Sequence, residues 1–244
     1  MMIWSELPES SGEWASHFEN AQYLVQPGEL RIDEGLLHVG KPLIVVANEI
    51  VVAGRHVTGG SSLALIARRI IFESNAEIDA TGDEGDGFPL DVQGTSQQPG
   101  GDGRAGRPGS DGDPGGWVWL SALEVKGDIR ITARGGRGGG GENGENGGRG
   151  QDGAHQGEKG RAGNSGSNGG KGSVGGNGGN GGEGGHVLVA APLSSEEALI
   201  DIGGGHGGEA GNNGLPGGKG QGSAGGPAYT TYEDNRIGGD WRMR

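Results

Sequence analysis

The chain has 244 residues, of which 61 are glycine and only 5% are aromatic, so a single large apolar core is not expected. With 19 Lys and Arg against 32 Asp and Glu, the formal net charge is −13, which argues against non-specific binding to nucleic acids or anionic membranes. Cysteine is absent, which excludes disulfides, and apolar stretches such as Leu43–Ala47 are too short to span a bilayer.

The amino-terminal segment, residues 1–28, is predicted to contain a short amphipathic helix over residues 10–24. Ser10–Glu13 has the spacing of a capping box, and Trp14 and Phe18 follow at helical spacing. This helix would either cover the first coil of the strands that follow or dock onto another protein. No basic segment followed by an apolar one is found at the start, so we expect no secretory signal.

Residues 29–227 are predicted to carry a repeated unit of short strands, each unit opening with a strand that ends in alanine. The units begin at Leu43, Leu63, Val118 and Val187. The first spacing, 20 residues from Leu43 to Leu63, is typical of one coil of a parallel β-solenoid. An antiparallel sandwich is the alternative, although no Asn-Gly or Asp-Gly turn separates two strands at hairpin distance.

Glycine recurs at every third residue in three insertions, at about 81–116, 134–186 and 203–226. This is the period of a polyproline-II (PPII) helix, whose glycine edge lets a neighbour approach to backbone contact. We therefore predict an all-β, non-classical fold in which solenoid-like strand units carry the insertions as a polyglycine-II bundle. Disorder of a tract and a collagen-like trimer are the alternatives, and the break in frame at 154–156 argues against the trimer. The glycines predicted to be structural are Gly103, Gly106, Gly138, Gly144, Gly163, Gly166, Gly175, Gly211 and Gly214.

Residues 228–244 form an aromatic tail without a strand pattern. Aromatic residues are scarce in this chain, and those near the termini and at the start of the third strand unit are predicted to bind a partner or a second copy. Aromatic side chains are common anchors of interfaces, and the ends of a solenoid present open strand edges. The predicted binding residues are Trp14, Phe18, Trp117, Trp119, Tyr229, Tyr232 and Trp241.

No catalytic constellation, metal site or cofactor is predicted, and we do not expect an enzyme. The six histidines show no metal-ligand spacing. The run Asp83–Asp86 could hold calcium but lacks the alternation of a calcium loop, so a solvated acidic turn is favoured. Asp79, Asp128 and Asp201 recur near the third strand of a unit, which leaves a carbohydrate-cleaving solenoid as a minor alternative.

The tract at residues 150–166, Gly-Gln-Asp-Gly-Ala-His-Gln-Gly-Glu-Lys-Gly-Arg-Ala-Gly-Asn-Ser-Gly, resembles the glycine-rich antifreeze proteins of springtails. The glycine tracts also resemble the receptor-binding adhesins at the tips of T-even-like phage tail fibres. Both resemblances cover only the glycine tracts, about half of the chain. They imply a bundle of PPII-like helices, with ice binding in the first case and receptor binding in the second.

The sequence therefore predicts a non-catalytic, self-assembling structural protein, such as a subunit of a surface or extracellular filament. A phage-fibre-type adhesin is the alternative, and an ice-binding protein is a further one. The expected partners are further copies of the chain, another fibre protein or a cell-surface receptor, with no nucleic acid and no membrane insertion. The expected location is the cell surface, the extracellular space or a virion, reached by a route other than a signal peptide.

Overall fold

The structure is a computed structural model that describes residues 14, 16–33, 40–154, 165–192 and 198–221. This part of the chain is almost entirely β, and only Trp14 and Ser16 have a helical conformation. The named strands are β1 (Gln22–Ile32), β2 (Leu43–Val52), β3 (Arg55–Val57), β4 (Leu63–Ile66), β5 (Arg69–Phe72), β6 (Glu77–Asp79), β7 (Trp117–Ser121), β8 (Glu124–Lys126), β9 (Ile129–Thr132), β10 (His186–Ala190) and β11 (Ala198–Asp201).

The named strands form two sheets in which every pair is parallel. In the larger sheet, β2 pairs with β1 along one edge and with β4 and then β5 along the other; β7 and β10 follow β4, and β8 follows β5. The smaller sheet has the order β11-β9-β6-β3. The predicted all-β class with parallel strands is confirmed, and the antiparallel sandwich is wrong.

The core is a stack of aligned apolar residues from successive strands. Val45, Leu65 and Leu120 are register partners on β2, β4 and β7, and all three are fully buried. Ile50 and Ile70 form a second such column. Leucine and β-branched residues suit this pleated, buried environment, and each fully buried side chain contributes about 1.5–3 kcal/mol.

The chain divides into two compact units. The first contains all the named strands together with the tract pieces nearest to them, and the second consists of glycine-rich tract with one isolated bridge between Thr95 and Asn146. The first unit comprises residues 1–87, 110–139 and 179–208, and the second comprises residues 88–109, 140–178 and 209–244.

Tract pieces of the second unit bond to each other at every third residue. The N–H groups of Gly103 and Gly106 donate to the carbonyls of Lys171 and Val174, at 2.8 and 2.9 Å. Piece 165–178 also donates to 140–154 and accepts from 209–221 at the same interval. These bonds join parts of one chain, and none of them uses a side chain.

The tract pieces of the first unit follow the same rule. Gly82 and Gly85 donate to the carbonyls of Arg134 and Arg137, at 2.9 and 2.8 Å. Pieces 179–185 and 133–139 are joined in the opposite chain direction, again at every third residue. The three-residue period of the sequence is therefore the period of the backbone hydrogen bonds in both units.

The predicted helix over residues 10–24 is wrong at its carboxyl end. Residues 17–20 form a turn, and β1 begins at Gln22. Asn20 has φ 59°, a left-handed conformation that ends a helix. From Gln22 onward the residues pair with β2 instead of continuing a helix. β1 therefore extends past residue 28, where the amino-terminal segment was predicted to end. Residues 10–13 lie outside the described residues.

Candidate functional site

Aromatic side chains from three parts of the first unit meet at β7. The Trp117 ring lies against His17, stacked at a centroid distance of 3.9 Å, and against His186 at 4.2 Å. Trp14 meets Trp117 edge-on at 4.6 Å and Trp119 at 6.4 Å. We call these five residues the tryptophan cluster. It unites three of the predicted binding residues, and the two histidines were not predicted with them.

The tryptophan cluster lies on the outer face of the larger sheet. Val118 and Leu120 point into the core, so the alternating Trp117 and Trp119 point outward. Trp14 therefore does not cover the first strand, as a plug would, because β2 and β4 separate β7 from β1.

The other predicted binding residues are not placed in the cluster. Phe18 is half-buried in the turn before β1. Tyr229, Tyr232 and Trp241 lie outside the described residues, so their binding role stays a prediction.

The outer face of the larger sheet has an apolar half and a charged half. On β5 and its neighbours, Arg69 pairs with Glu49 at 2.6 Å and with Glu124 at 3.1 Å. On the strands that cross the other half, the outward residues are apolar apart from Ser121 and His186, which belongs to the tryptophan cluster. This half, which we call the apolar face, consists of the register partners Tyr23, Ile44, Ala64, Trp119 and Leu188, and of Val25, Val46, Ile66, Ser121 and Ala190.

The last strands, β10 and β11, leave apolar side chains uncovered. His56, Ile78, Ile131 and Ile200 form one column of register partners across the smaller sheet. The first three are buried, whereas Ile200 is 42% exposed, and the nearby Ile202 is 48% exposed. We call β10, β11 and Ile202 the open end.

An added side chain has no room at the predicted structural glycines. At eight of the nine, a Cβ atom would lie closer than 3.0 Å to a backbone atom of a neighbouring tract piece. The ninth, Gly163, is outside the described residues. The eight are Gly103, Gly106, Gly138, Gly144, Gly166, Gly175, Gly211 and Gly214.

The number of glycine rows in a tract piece depends on the number of its neighbours. In piece 165–178, Gly175 is pressed against the backbone of piece 209–221, and Gly176 against that of piece 100–109. Both glycines of the triplet at 175–177 therefore face neighbouring backbone, and the triplet at 169–171 likewise reads Gly-Gly-x, whereas Ser167 and Ser173 take the second position in the other two triplets.

An outer piece needs only one glycine row. Gly211 and Gly214 of piece 209–221 are pressed against neighbouring backbone, whereas Gly218 has no atom within 4 Å of an added Cβ. The difference between Gly-Gly-x and Gly-x-x was visible in the sequence, but its meaning depends on which pieces are neighbours.

Five Asp-Gly and Asn-Gly dipeptides form a contact that the sequence analysis missed. In each dipeptide, the Oδ1 atom of the Asp or Asn accepts a hydrogen bond from the backbone N–H of the residue 69 positions later. The glycine of the dipeptide donates its own N–H to the carbonyl of that later residue. Both backbone groups of one residue are thereby satisfied. The five residues are Asp102, Asp111, Asn143, Asn146 and Asp152, with bonds of 2.6–2.7 Å to Oδ1.

In the second unit, a buried amide and an ion-paired carboxylate lie side by side in the sequence. Asn143 also donates to the carbonyls of Leu90 and Val92, at 2.9 Å each. The Glu142 carboxylate lies 3.0 Å from Arg104 Nη2 and 3.0 Å from Arg107 Nε. Hydrogen bonds from Arg104, and then from Arg107, hold the pKa of Glu142 well below its usual range.

Two of the three aspartates considered for catalysis make structural contacts where a glycine tract leaves a strand, whereas Asp128 lies in the turn between β8 and β9. Asp79 pairs with Arg55 and accepts the N–H of Thr81 at 3.0 Å. Asp201 pairs with Arg134 at 3.1 Å and accepts the N–H of Gly203 at 3.1 Å. Each of these two aspartates thus closes an Asx turn at such an exit.

Neither a metal-binding group nor a membrane-spanning helix is found in the part of the chain that the structure describes. No cluster of three or more His, Asp or Glu side chains there could hold a metal ion, including around Asp83–Asp86. No described helix is long and apolar enough to cross a membrane.

Comparison with known proteins does not place the chain in a family. No family model matches it, and the searches of curated proteins and of solved structures found no match.

Proposed function

We propose that the strands of the first unit are coils of a parallel β-solenoid. Val118 pairs with Val187 and Ile129 with Ala198, so one stretch of chain lies in register on another that follows 69 residues later. Such stacking of successive repeats is the defining feature of a solenoid.

The glycine tracts are, on the same proposal, bundles of PPII helices. The hydrogen bonds recur at every third residue, which is the period of a PPII helix. The five Asx-Gly contacts use the same offset of 69 residues as the strands. From residues 100–116 to residues 169–185, the same offset also places glycine on glycine.

The function that this geometry supports best is that of a non-catalytic structural protein that self-associates. The observation that carries it is the open end, where Ile200 continues a buried column yet is 42% exposed and the nearby Ile202 is 48% exposed. One further layer of apolar residues would bury them, as Ile131 is buried by its neighbours. A second copy supplies such a layer without any other partner.

The two edges of the larger sheet differ in how well they resist pairing. At one edge, β1 contains Pro27 and Gly28, and its register shifts between Gln26 and Glu29. Proline and bulges are devices that block edge-to-edge pairing. At the other edge, β10 contains neither proline nor a Lys or Arg. Because the β1 edge resists pairing and the β10 edge does not, we favour a two-fold dimer through the open end over an unlimited filament.

The test is the oligomeric state of the full chain and of two single variants. We expect the wild-type chain to be dimeric in sedimentation velocity at micromolar concentration. Ile200→Lys should be monomeric with an unchanged melting temperature, because residue 200 is at the association surface. Val57→Lys is the matched control, since Val57 is also half exposed on the smaller sheet but lies on β3; it should remain a dimer.

Other outcomes would select other functions. A wild-type chain that stays monomeric at all concentrations contradicts self-association and leaves the adhesin as the better proposal. Fibres in electron microscopy that Ile200→Lys abolishes would replace the closed dimer by the filament. Growth inhibition of ice crystals by the monomer would support the ice-binding alternative.

A further inference from the structure

We propose that piece 209–221 of the second unit is built to prevent a second copy of the chain from adding a glycine-rich piece of its own to the bundle. The row of residues that does so, which we call the cap, consists of Ala210, Asn213, Pro216 and Lys219. The cap lies in a different unit from the open end, and the proposal does not depend on the proposed dimer.

The cap takes the place of glycines in the neighbouring piece, 140–154. The two pieces correspond at an offset of 69 residues, which is the offset of the bond from the Asn212 N–H to Asn143 Oδ1. At this offset, the four cap residues correspond in order to Gly141, Gly144, Gly147 and Gly150. Four consecutive triplets thus exchange a glycine for a residue with a side chain.

The four corresponding glycines serve two neighbours at once. Each donates its N–H to a carbonyl of piece 209–221, at 2.8–2.9 Å. An added Cβ at each would lie closer than 3.0 Å to a carbonyl of piece 165–178. A further piece that joined the bundle in the same way would therefore need both an N–H and a bare edge from the cap.

The first argument for the proposal is steric. All four cap residues are exposed, and each carries a Cβ where its counterpart is bare. PPII helices at backbone contact leave no space for a side chain on the facing edge. A further piece therefore cannot approach the cap as closely as piece 165–178 approaches the corresponding glycines.

The second argument is the loss of a donor at Pro216. Its counterpart, Gly147, donates its N–H to the carbonyl of Leu215 at 2.8 Å. Proline has no N–H, so the cap cannot make this bond to a further piece. Proline blocks the pairing of exposed sheet edges for the same reason.

The third argument is that Asn213 occupies a donor of another piece. Gly106 donates its N–H to the carbonyl of Val174 at 2.9 Å, and Gly175 corresponds to Gly106 at the offset of 69 residues. Gly175 donates instead to Oδ1 of Asn213, at 3.1 Å. The side chain of Asn213 thus takes a group with which piece 165–178 would bind a further piece.

The replacement of glycine is confined to the second unit. In the first unit, Gly135 and Gly138 correspond at the same offset to Gly204 and Gly207, which are still glycines. An added Cβ at Gly204 or Gly207 would meet no atom closer than 3.5 Å, so side chains would fit there too. Space alone therefore does not decide where the row carries side chains. Terminal repeats with an altered outer face are the usual means of ending a stacked array.

The test compares two versions of the row that differ only in the Cβ atom. One variant combines Ala210→Gly, Asn213→Gly, Pro216→Gly and Lys219→Gly. The other keeps Ala210 and combines Asn213→Ala, Pro216→Ala and Lys219→Ala, so it loses the same amide, proline ring and charge. Both are made in the Ile200→Lys background, and the Ile200→Lys chain with its cap intact is the reference.

Sedimentation velocity should show that the all-glycine row associates at least about tenfold more tightly than the reference, a difference of ~1.4 kcal/mol. The all-alanine row should sediment as the reference does. An all-glycine row that associates no more tightly than the reference would overturn the proposal. Equal association of the two variants would also overturn it, because the side chains would then not exclude a neighbour.

Amide exchange locates the association. Gly172 and Gly178 correspond to Gly103 and Gly109, whose N–H groups are bonded to piece 165–178. In the concentrated all-glycine variant, Gly172 and Gly178 should therefore exchange at least about tenfold more slowly than in the dilute one, a difference of ~1.4 kcal/mol. Association that leaves their exchange unchanged would place the contact elsewhere and refute the cap. Loss of protection at Gly144 would show that the row is needed for the unit to fold, which also contradicts the proposal.

Discussion

The strands of the first unit and the tract pieces of the second are held by opposite means. In the strands, columns such as Val45, Leu65 and Leu120 exclude water with apolar side chains. In the tract pieces, backbone groups bond to backbone groups at every third residue, and close approach requires that side chains be absent. A loss of side-chain volume should therefore damage one region, and a gain of volume should damage the other.

The largest expected effect is from removing volume in the strands. Leu65→Ala should lower the free energy of unfolding of the first unit by about 4 kcal/mol, because Leu65 is fully buried in a column that cannot collapse around the cavity. Chemical unfolding followed by tryptophan fluorescence measures it, since the described tryptophans all lie in that unit.

The matched change in the tracts should have almost no effect. Val174 is 62% exposed in the second unit, so Val174→Ala should change stability by less than about 0.5 kcal/mol. A loss at Val174 comparable to that at Leu65 would show that side chains also hold the tracts together.

The next largest effect is from adding volume in the tracts. Gly176→Ala should destabilise the second unit by about 3 kcal/mol, because its Cβ would be pressed against the carbonyl of Arg107, and backbone cannot rotate away as a side chain can. Amide exchange of the second unit is the measurement.

Gly218→Ala is the control for this prediction. An alanine Cβ at Gly218 meets nothing within 4 Å, and the smaller backbone entropy of its unfolded chain should make the variant neutral or slightly more stable. Equal damage at the two glycines would mean that flexibility, rather than space, selects glycine here.

The glycine phase could be predicted from the sequence because a bare edge is a local property of each triplet. The requirement for a second glycine at Gly176 but not at Gly218 could not, since it depends on which pieces become neighbours. Likewise, the repeat at 69 residues was visible from Val118 to Val187, but not that Asp111 would bond across it. Local chemistry fixes what a segment can do, and the neighbours determine which of its groups are used.

The tryptophan cluster illustrates the same limit. The scarcity of aromatics drew attention to Trp14, Trp117 and Trp119, which the structure brings together, while their binding role stays a prediction. Of the two roles expected for this segment, a cover over the first coil or a docking helix, the first differs from the position of Trp14 on β7. Helical spacing describes one segment and says nothing of where that segment packs. His17 and His186 gave no signal, since a histidine becomes part of a stack only when the fold brings a ring to it.

A smaller effect is expected where a side chain does help the tracts. Asn143→Ala should destabilise the second unit by about 2 kcal/mol, because it removes the partners of the Asn212 N–H and of the carbonyls of Leu90 and Val92. Asn213→Ala is the control, since the bond that Asn213 accepts from the Gly175 N–H is exposed, and it should cost less than half as much. A reversed order would refute the structural role of the buried amide.

The smallest effect is expected from the carboxylate of Glu142, which is the clearest electrostatic contribution in the second unit. Hydrogen bonds from Arg104 and Arg107 lower its folded pKa below the unfolded value of about 4.3. The stabilisation is therefore complete above the unfolded pKa and is lost as the pH falls through it toward the folded pKa. Amide exchange should show that Glu142→Gln destabilises the second unit slightly at neutral pH and that the difference from wild type shrinks as the medium is acidified below about pH 4. Because the ion pairs are solvent-accessible, about 1 M salt should shrink the difference as well. A difference that persists unchanged in acid and in salt would mean that the Glu142 side chain acts by packing against the tract, which would weaken the contrast between the two regions.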